Sequence, residues 1–166
     1  MSSAEFKPNP AFMQALDAGV LDGLNAIQLQ TSRVLRQVLS QKGTGRIYRI
    51  GGGKAKGRNL RARGFHQASA PGKPPAVNTN RLRASWSVSS ASGGNFQSKD
   101  SFGRFYRDGK KVVLEFGSRV LYAPFLEFGT RRIRPRPYVK PSLTAVGKQA
   151  ARIMQASINM RLGAAR

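Results

Sequence analysis

At 166 residues the chain can bury one core with segments left over, and with no cysteine it excludes disulfides and thiolate metal sites. Its formal net charge of +22, from 29 Lys and Arg against 7 Asp and Glu, points to polyanionic surroundings or acidic protein neighbours. No apolar run approaches the roughly 18 to 20 residues of a membrane span, and the N-terminus lacks a charged-then-apolar signal pattern, so a cytoplasmic protein with no membrane partner is expected. The charge is unevenly placed. Residues 1–41 are neutral, 42–83 hold 11 cations and no acid, and 131–166 hold nine cations and no acid, so two blocks carry +20 of the +22.

Taken in order, Asn9-Pro10 marks a helix start, because Asn caps orphan N–H groups and Pro suits the first helical position. Phe12, Leu16, Val20, Leu24, Ile27, Thr31, Val34 or Leu35, and Val38 then recur at three- and four-residue steps, predicting a long amphipathic helix over 10–41. Gly43 and Gly45 are expected to stop it. Residues 42–81 read as a basic, extended excursion. Arg46 to Ile50 suits a short strand, but the glycine-rich stretch 51–58 predicts a flexible linker. Its triple glycine lacks the Gly-Lys-Ser/Thr ending of a phosphate loop. Prolines 71, 74 and 75 predict a rigid extended run over 69–76, which Asn78-Thr79-Asn80 turns toward a sheet.

Leu82, Ala84, Trp86 and Val88 alternate with polar residues, predicting a half-buried strand. Residues 89–101, rich in Ser, Gly and Asn, form a loop expected to be mobile. A strand around Phe102 to Tyr106, the turn at Asp108-Gly109 and a strand from Lys111 to Phe116 make a hairpin, so antiparallel strands are expected over 82–117. Residues 120–129 read as a short helical turn with Pro124 near its start. From Pro141 the pattern is helical again, with Leu143, Val146, Ala150, Ile153, Ser157 and Met160 on one stripe, predicting a C-terminal helix over 141–162. The fold class is α+β: two long helices packed on a small antiparallel sheet, in one domain spanning 1–166.

Between the last two helices lies the most unusual stretch, from Tyr122 to Ser142. It sets apolar anchors Phe125, Leu126 and Phe128 and one acid, Glu127, before Gly129, then five cations among Pro135, Pro137 and Pro141. Prolines remove backbone donors and push Arg134, Arg136 and Lys140 toward extended geometry, so 131–140 reads as a stiff, exposed basic arm hinged at Gly129, which is free to take a positive φ. Catalytic groups are few. His66 is the sole imidazole, with no acid nearby in sequence, and cannot form a histidine-rich metal site. Glu115 and Glu127 are the only acids inside predicted core elements; paired carboxylates can serve hydrolysis, but an interface ion pair with the arginines that flank it in the same motif explains Glu127 more simply. No enzyme activity, cofactor or metal is expected.

Ser69-Ala70-Pro71-Gly72-Lys73-Pro74-Pro75-Ala76-Val77 leading into Arg81-Leu82-Arg83-Ala84-Ser85, followed by the Tyr122 to Ser142 stretch, resembles the small neck or tail-completion proteins of long-tailed lambdoid double-stranded DNA phages, the gene-product-ten-like minor tail components. The resemblance covers roughly Leu39 to the C-terminus. The family usually shows Asp-Thr-Gly before the Arg-Leu; Asn78-Thr79-Asn80 keeps a turn there, because Asn tolerates left-handed geometry. The resemblance implies the same α+β arrangement, with neighbouring subunits covering open sheet edges in a ring. It implies six copies, or twelve to match the head connector, located in the virion at the head–tail junction. The partners implied are the head-connector or head-closure protein, the tail-tube or tail-terminator protein, and DNA passing through the lumen.

On this reading Phe125, Glu127, Phe128, Gly129, Arg131, Arg132, Arg134, Arg136 and Tyr138 form the subunit or partner interface. Lys54, Lys56, Arg58, Arg61 and Arg63 face DNA or acidic neighbours. The alternative is a basic nucleic-acid-binding protein outside any particle, with Trp86, Tyr48, Phe65 and Tyr138 stacking on bases, although no helix-turn-helix, zinc-finger or ribonucleoprotein signature is visible.

Overall fold

A computed structural model describes residues 9–50, 53–55, 58–60, 64–76, 78, 80–88, 98–109 and 111–164, with the backbone alone for 53–55 and 58–60. Helix α1 runs from Pro10 to Val38, and Asn9 caps it by accepting from Ala11 N at 2.9 Å. The helix ends before either glycine expected to stop it. Ser40 N bonds to Gln37 O at 3.1 Å and Ser40 Oγ takes the Arg36 carbonyl at 2.6 Å, a tightened last turn that places Leu39 in the core. Helix α4, Val139–Ala164, lies antiparallel to α1. The contact is close because α1 offers glycine: a Cβ on Gly19 would sit 2.7 Å from Ile158 Cα, and one on Gly23 would sit 3.2 Å from Met154 Cα.

The two long helices therefore pack mainly on each other, which corrects the expectation that both lie on a sheet. The expected α4 stripe is also partly wrong. Val146 is buried, but Leu143 and Met160 face solvent while Met154 and Ile158 face α1.

Among the described residues, three two-stranded antiparallel ribbons stand in place of the single small sheet. Strand β1, Ile47–Ile50, pairs with β4, Gly64–Gln67, and β2, Gly53–Ala55, pairs with β3, Arg58–Leu60. The short strand expected from Arg46 to Ile50 is thus β1, whereas within the stretch 51–58 read as a flexible linker residues 53–55 and 58 are paired strand, because pairing satisfies backbone N–H and C=O groups that the side chains cannot bury. Strand β5, Ser101–Asp108, and β6, Lys111–Ser118, form the expected hairpin, with Gly109 at φ +57° in its turn. Residues 89–97 of the expected mobile loop lie outside the described residues.

The predicted strand at 82–89 is a second correction. Asn80, at φ +62°, starts helix α2, Arg81–Ala84, and the chain continues as a turn through Trp86. Leu82, Ser85 and Trp86 point inward together, a helical spacing that also fitted the alternation Leu82, Ala84, Trp86. Helix α3, Ala123–Phe128, begins with Pro124 in its first turn, as expected.

The core gathers where these short elements meet the C-terminal end of α1: Leu35, Leu39, Leu82, Trp86, Val120, Ala123 and Tyr138. Trp86 is its hub. Its ring stands edge-on to Phe116 and Tyr138, with centroids at 6.5 and 6.3 Å, and its carbonyl accepts from Ser32 Oγ.

Candidate interaction surface where two sequence motifs meet

The chain turns back on itself between α3 and α4, and one buried carboxylate organises that reversal. Glu127 Oε2 accepts from Tyr138 N at 2.8 Å and Val139 N at 2.9 Å, and Oε1 accepts from Lys140 N at 3.0 Å. These are the orphan donors at the start of α4, and the following residue, Pro141, has none. The first turn of α4 holds no acid of its own, so Glu127 brings the negative charge that the helix N-terminus favours from a distant element. The expected ion pair between Glu127 and the nearby arginines is corrected: the carboxylate is a cap inside the chain.

The arm is corrected as well. After Gly129, at φ +77°, Thr130 closes a compact loop, with Thr130 N bonding to Ile133 O at 2.8 Å and Thr130 Oγ1 accepting from Arg132 N and Ile133 N. Gly129 is needed twice, for its φ and because a Cβ there would lie 2.7 Å from Ile133 O. Beyond the loop, Arg136 N bonds to Leu126 O at 2.7 Å, and Gly72 N bonds to Pro135 O at 3.0 Å. The two motifs singled out in the sequence, 69–77 and 122–142, are therefore in direct contact, and the Pro135 carbonyl and Arg136 N–H fasten the arm to the chain's own body. Residues 69–76 are not extended throughout, because Lys73 N bonds to Ala70 O across a turn with Gly72 at φ +76°.

Of the nine residues expected at an interface, five are displayed: Phe125 at 55 % and Phe128 at 79 % exposure, with Arg131, Arg132 and Arg134 on the loop beside them. Leu121, 86 % exposed, belongs with them and was missed. It sits in the turn just before α3, and on the helix itself Phe125 and Phe128 share one face opposite the buried Ala123 and Glu127. That spacing was available as a signal. Gly129 shapes the loop, Arg136 is half-buried, and Tyr138 is a core residue with its side chain closed to any partner, as it and Trp86 are to stacking on bases. Burial, with Glu127 nearby, pushes the Tyr138 phenol well up.

The cations sort into two groups. Arg81 bonds Asp100 through Nε and Nη2 at 2.6 and 2.8 Å, Arg104 pairs with Glu115, Arg107 with Asp17 and Arg161 with Asp22. The Arg81 guanidinium holds the Asp100 carboxyl below its ordinary range, and Arg104 with the Tyr106 hydroxyl does the same for Glu115. Arg131, Arg132 and Arg134 join none of the ion pairs among the described residues. Lys54 and Arg58 fall on β2 and β3, where only backbone is described, and Lys56, Arg61 and Arg63 lie outside the described residues. Exposed Tyr48 and Phe65 stand on the β1–β4 ribbon, with the Arg46 guanidinium 5.5 Å from the Tyr48 ring centroid. His66 sits on β4, and among the described residues no His, Cys, Asp and Glu cluster could hold a metal.

Behind the displayed face of α3 runs an apolar groove of about 490 Å³, bounded by Phe102, Pro124, Phe128, Val139 and Leu143. Exposed aromatic side chains, a groove and three exposed arginines make a surface suited to docking a macromolecule.

Residues 61–129 match the family model described as "Bacteriophage HK97-gp10, putative tail-component". The matched stretch runs from the ribbon through α2, the β5–β6 hairpin and α3, and it ends at Gly129, just before the arginine loop. The chain is thus similar over that stretch to a phage tail-component family, which supports a virion protein that meets other virion proteins. No curated protein and no solved structure matches the chain.

Proposed function

We propose that the chain is a structural component of a phage particle, a neck or tail-completion protein that joins the head connector to the tail tube. It acts as a homo-oligomeric ring, most simply of six copies, through which DNA passes, and it is not an enzyme. The observation that carries this reading is the solvent display of Leu121, Phe125 and Phe128 beside Arg131, Arg132 and Arg134, on a base fixed from below by Glu127. Soluble monomers rarely leave two phenylalanines of one short helix and the leucine just before it so open. Aromatic and arginine side chains on a rigid base are the usual carriers of interface energy.

The test is complementation of particles lacking this protein. Arg131→Glu with Arg132→Glu and Arg134→Glu, and separately Phe125→Ser with Phe128→Ser, should block head–tail joining. The isolated chains should keep their stability within about 0.5 kcal/mol, because the changed side chains are exposed. Infectious particles at normal yield from both variants would refute the docking role. Mass photometry showing single chains only, alone and with head and tail partners, would refute the ring.

One observation favours a second reading, a nucleic-acid-binding protein outside any particle: Tyr48 and Phe65 stand exposed among cations on the β1–β4 ribbon. Tight binding to DNA in a filter assay at physiological salt, with the chain absent from purified particles, would select it.

A further inference from the structure

The fastening of the arm to the 69–76 turn encloses a cavity of about 390 Å³ between α2, α3 and the root of the ribbon. Its walls include Leu39, Leu82 and Leu126, and it reaches the surface beside the exposed Asn78 and Asn80. Two hydrogen-bond donors line it with their polar atoms buried and unpartnered: Arg136 Nε and the hydroxyl of Ser69, a residue only 4 % exposed. Leaving such groups unpaired is costly, most of all a guanidinium N–H away from water. The other cationic side chain on the wall, Arg83, is already bonded to Asn80 Oδ1 at 2.6 Å and Ser40 Oγ at 3.1 Å. The cavity therefore combines apolar walls, an arginine whose backbone N–H is bonded to Leu126 O, and two donors seeking an acceptor.

We propose that this cavity is a carboxylate-binding site that takes an acidic side chain from a neighbouring protein, the carboxylate accepting from Arg136 Nε–H and Ser69 Oγ–H. The apolar walls suit the methylene stem of such a side chain, whereas a nucleic-acid phosphate comes flanked by sugars and is met by exposed cations on open surfaces. We take the acid to come from a different protein, because among the described acids Asp17, Asp22, Asp100, Glu115 and Glu127 already have partners within the chain, and a second copy has only Asp108 at the hairpin turn left to offer. That the donor is a neighbouring virion protein rests on the function proposed above; the chemistry of the cavity does not.

The experiment follows the arginine Nε–H signals of the isolated full chain by NMR while acetyl-tetraglutamate-amide is added, with inorganic phosphate and a short DNA duplex as parallel titrations. The Arg136 signal should move saturably with the peptide. Ser69→Ala and Arg136→Lys, each checked for an unchanged fold, should weaken peptide binding by roughly tenfold or more. A triple Arg131→Gln, Arg132→Gln, Arg134→Gln variant should stay within about threefold of the parent, since loop charges act through solvent. An unmoved Arg136 signal, equal losses in all variants, or stronger effects from phosphate or DNA on that signal would overturn the proposal. Should Arg136→Lys not fold, Ser69→Ala alone decides it. Because the titration needs no particle, its failure leaves the neck reading standing, and absence of the chain from particles leaves the cavity result standing.

Discussion

Replacing Glu127 by alanine removes the acceptor of three backbone N–H groups at 2.8, 2.9 and 3.0 Å from a residue only 8 % exposed. An exposed single-bond cap is worth about 0.5–2 kcal/mol, and each hydrogen bond to a charged group about 1.5–3 kcal/mol. Three such bonds, partly replaced by water entering the gap, give an expected loss of about 3–5 kcal/mol. For a chain of this length that lowers the melting temperature by about 10 °C. Glu127→Gln is the finer probe. Its one carbonyl oxygen can still accept from Tyr138 and Val139, as Oε2 does now, but its amide then opposes the Lys140 N–H, for a loss of about 2 kcal/mol and about 5 °C. Thermal unfolding followed by near-ultraviolet circular dichroism reads the loss directly, because the Trp86–Tyr138 edge contact lies against the capped turn. Were Glu127 an ion-pair partner for another subunit, the isolated chain would melt unchanged and only assembly would suffer. A melting temperature for Glu127→Ala within about 2 °C of the parent would refute the capping argument.

The close approach of α1 and α4 can be tested with a pair of glycines. Gly19→Ala places a methyl 2.7 Å from Ile158 Cα and should destabilise by about 1–2 kcal/mol despite alanine's better helix propensity. Gly147→Ala meets nothing within 4 Å and should stabilise by about 1 kcal/mol in the same denaturant titration. A stabilising Gly19→Ala would show that the helices are not in contact there. For acid stability, the Asp100 and Glu115 carboxyls are held below their unfolded values, so their contributions are complete above the ordinary carboxylate range and are lost as pH falls through the depressed folded values. Melting temperature should therefore fall on acidification below about pH 4, and Asp100→Asn should lower it at neutral pH while flattening that acid-side slope. An Asp100→Asn melting curve with the parent's acid slope would show that the Arg81 pair is not part of it.

What the linear chain determined is the set of features whose cause is local. Asn9 before Pro10 caps α1, Asp108-Gly109 turns the β5–β6 hairpin, Asn80 and Gly129 take the left-handed angles their chemistry permits, and Pro124 opens α3. The two odd motifs were legible as well, because their prolines, glycines and arginines have no place in an ordinary core element. Tertiary structure decided everything that depends on a distant partner. Leu82 and Trp86 fit a strand and a helix equally well, and only the shared core with Leu35 and Tyr138 selects the helical turn. The ribbon became ordered because 64–67 lies opposite 47–50. Glu127 has arginines for neighbours in sequence, but in space its nearest unmet need is the start of α4, where three amides converge on it. A carboxylate goes to the donors that water cannot reach, and which donors those are is settled only when the chain has folded back on itself.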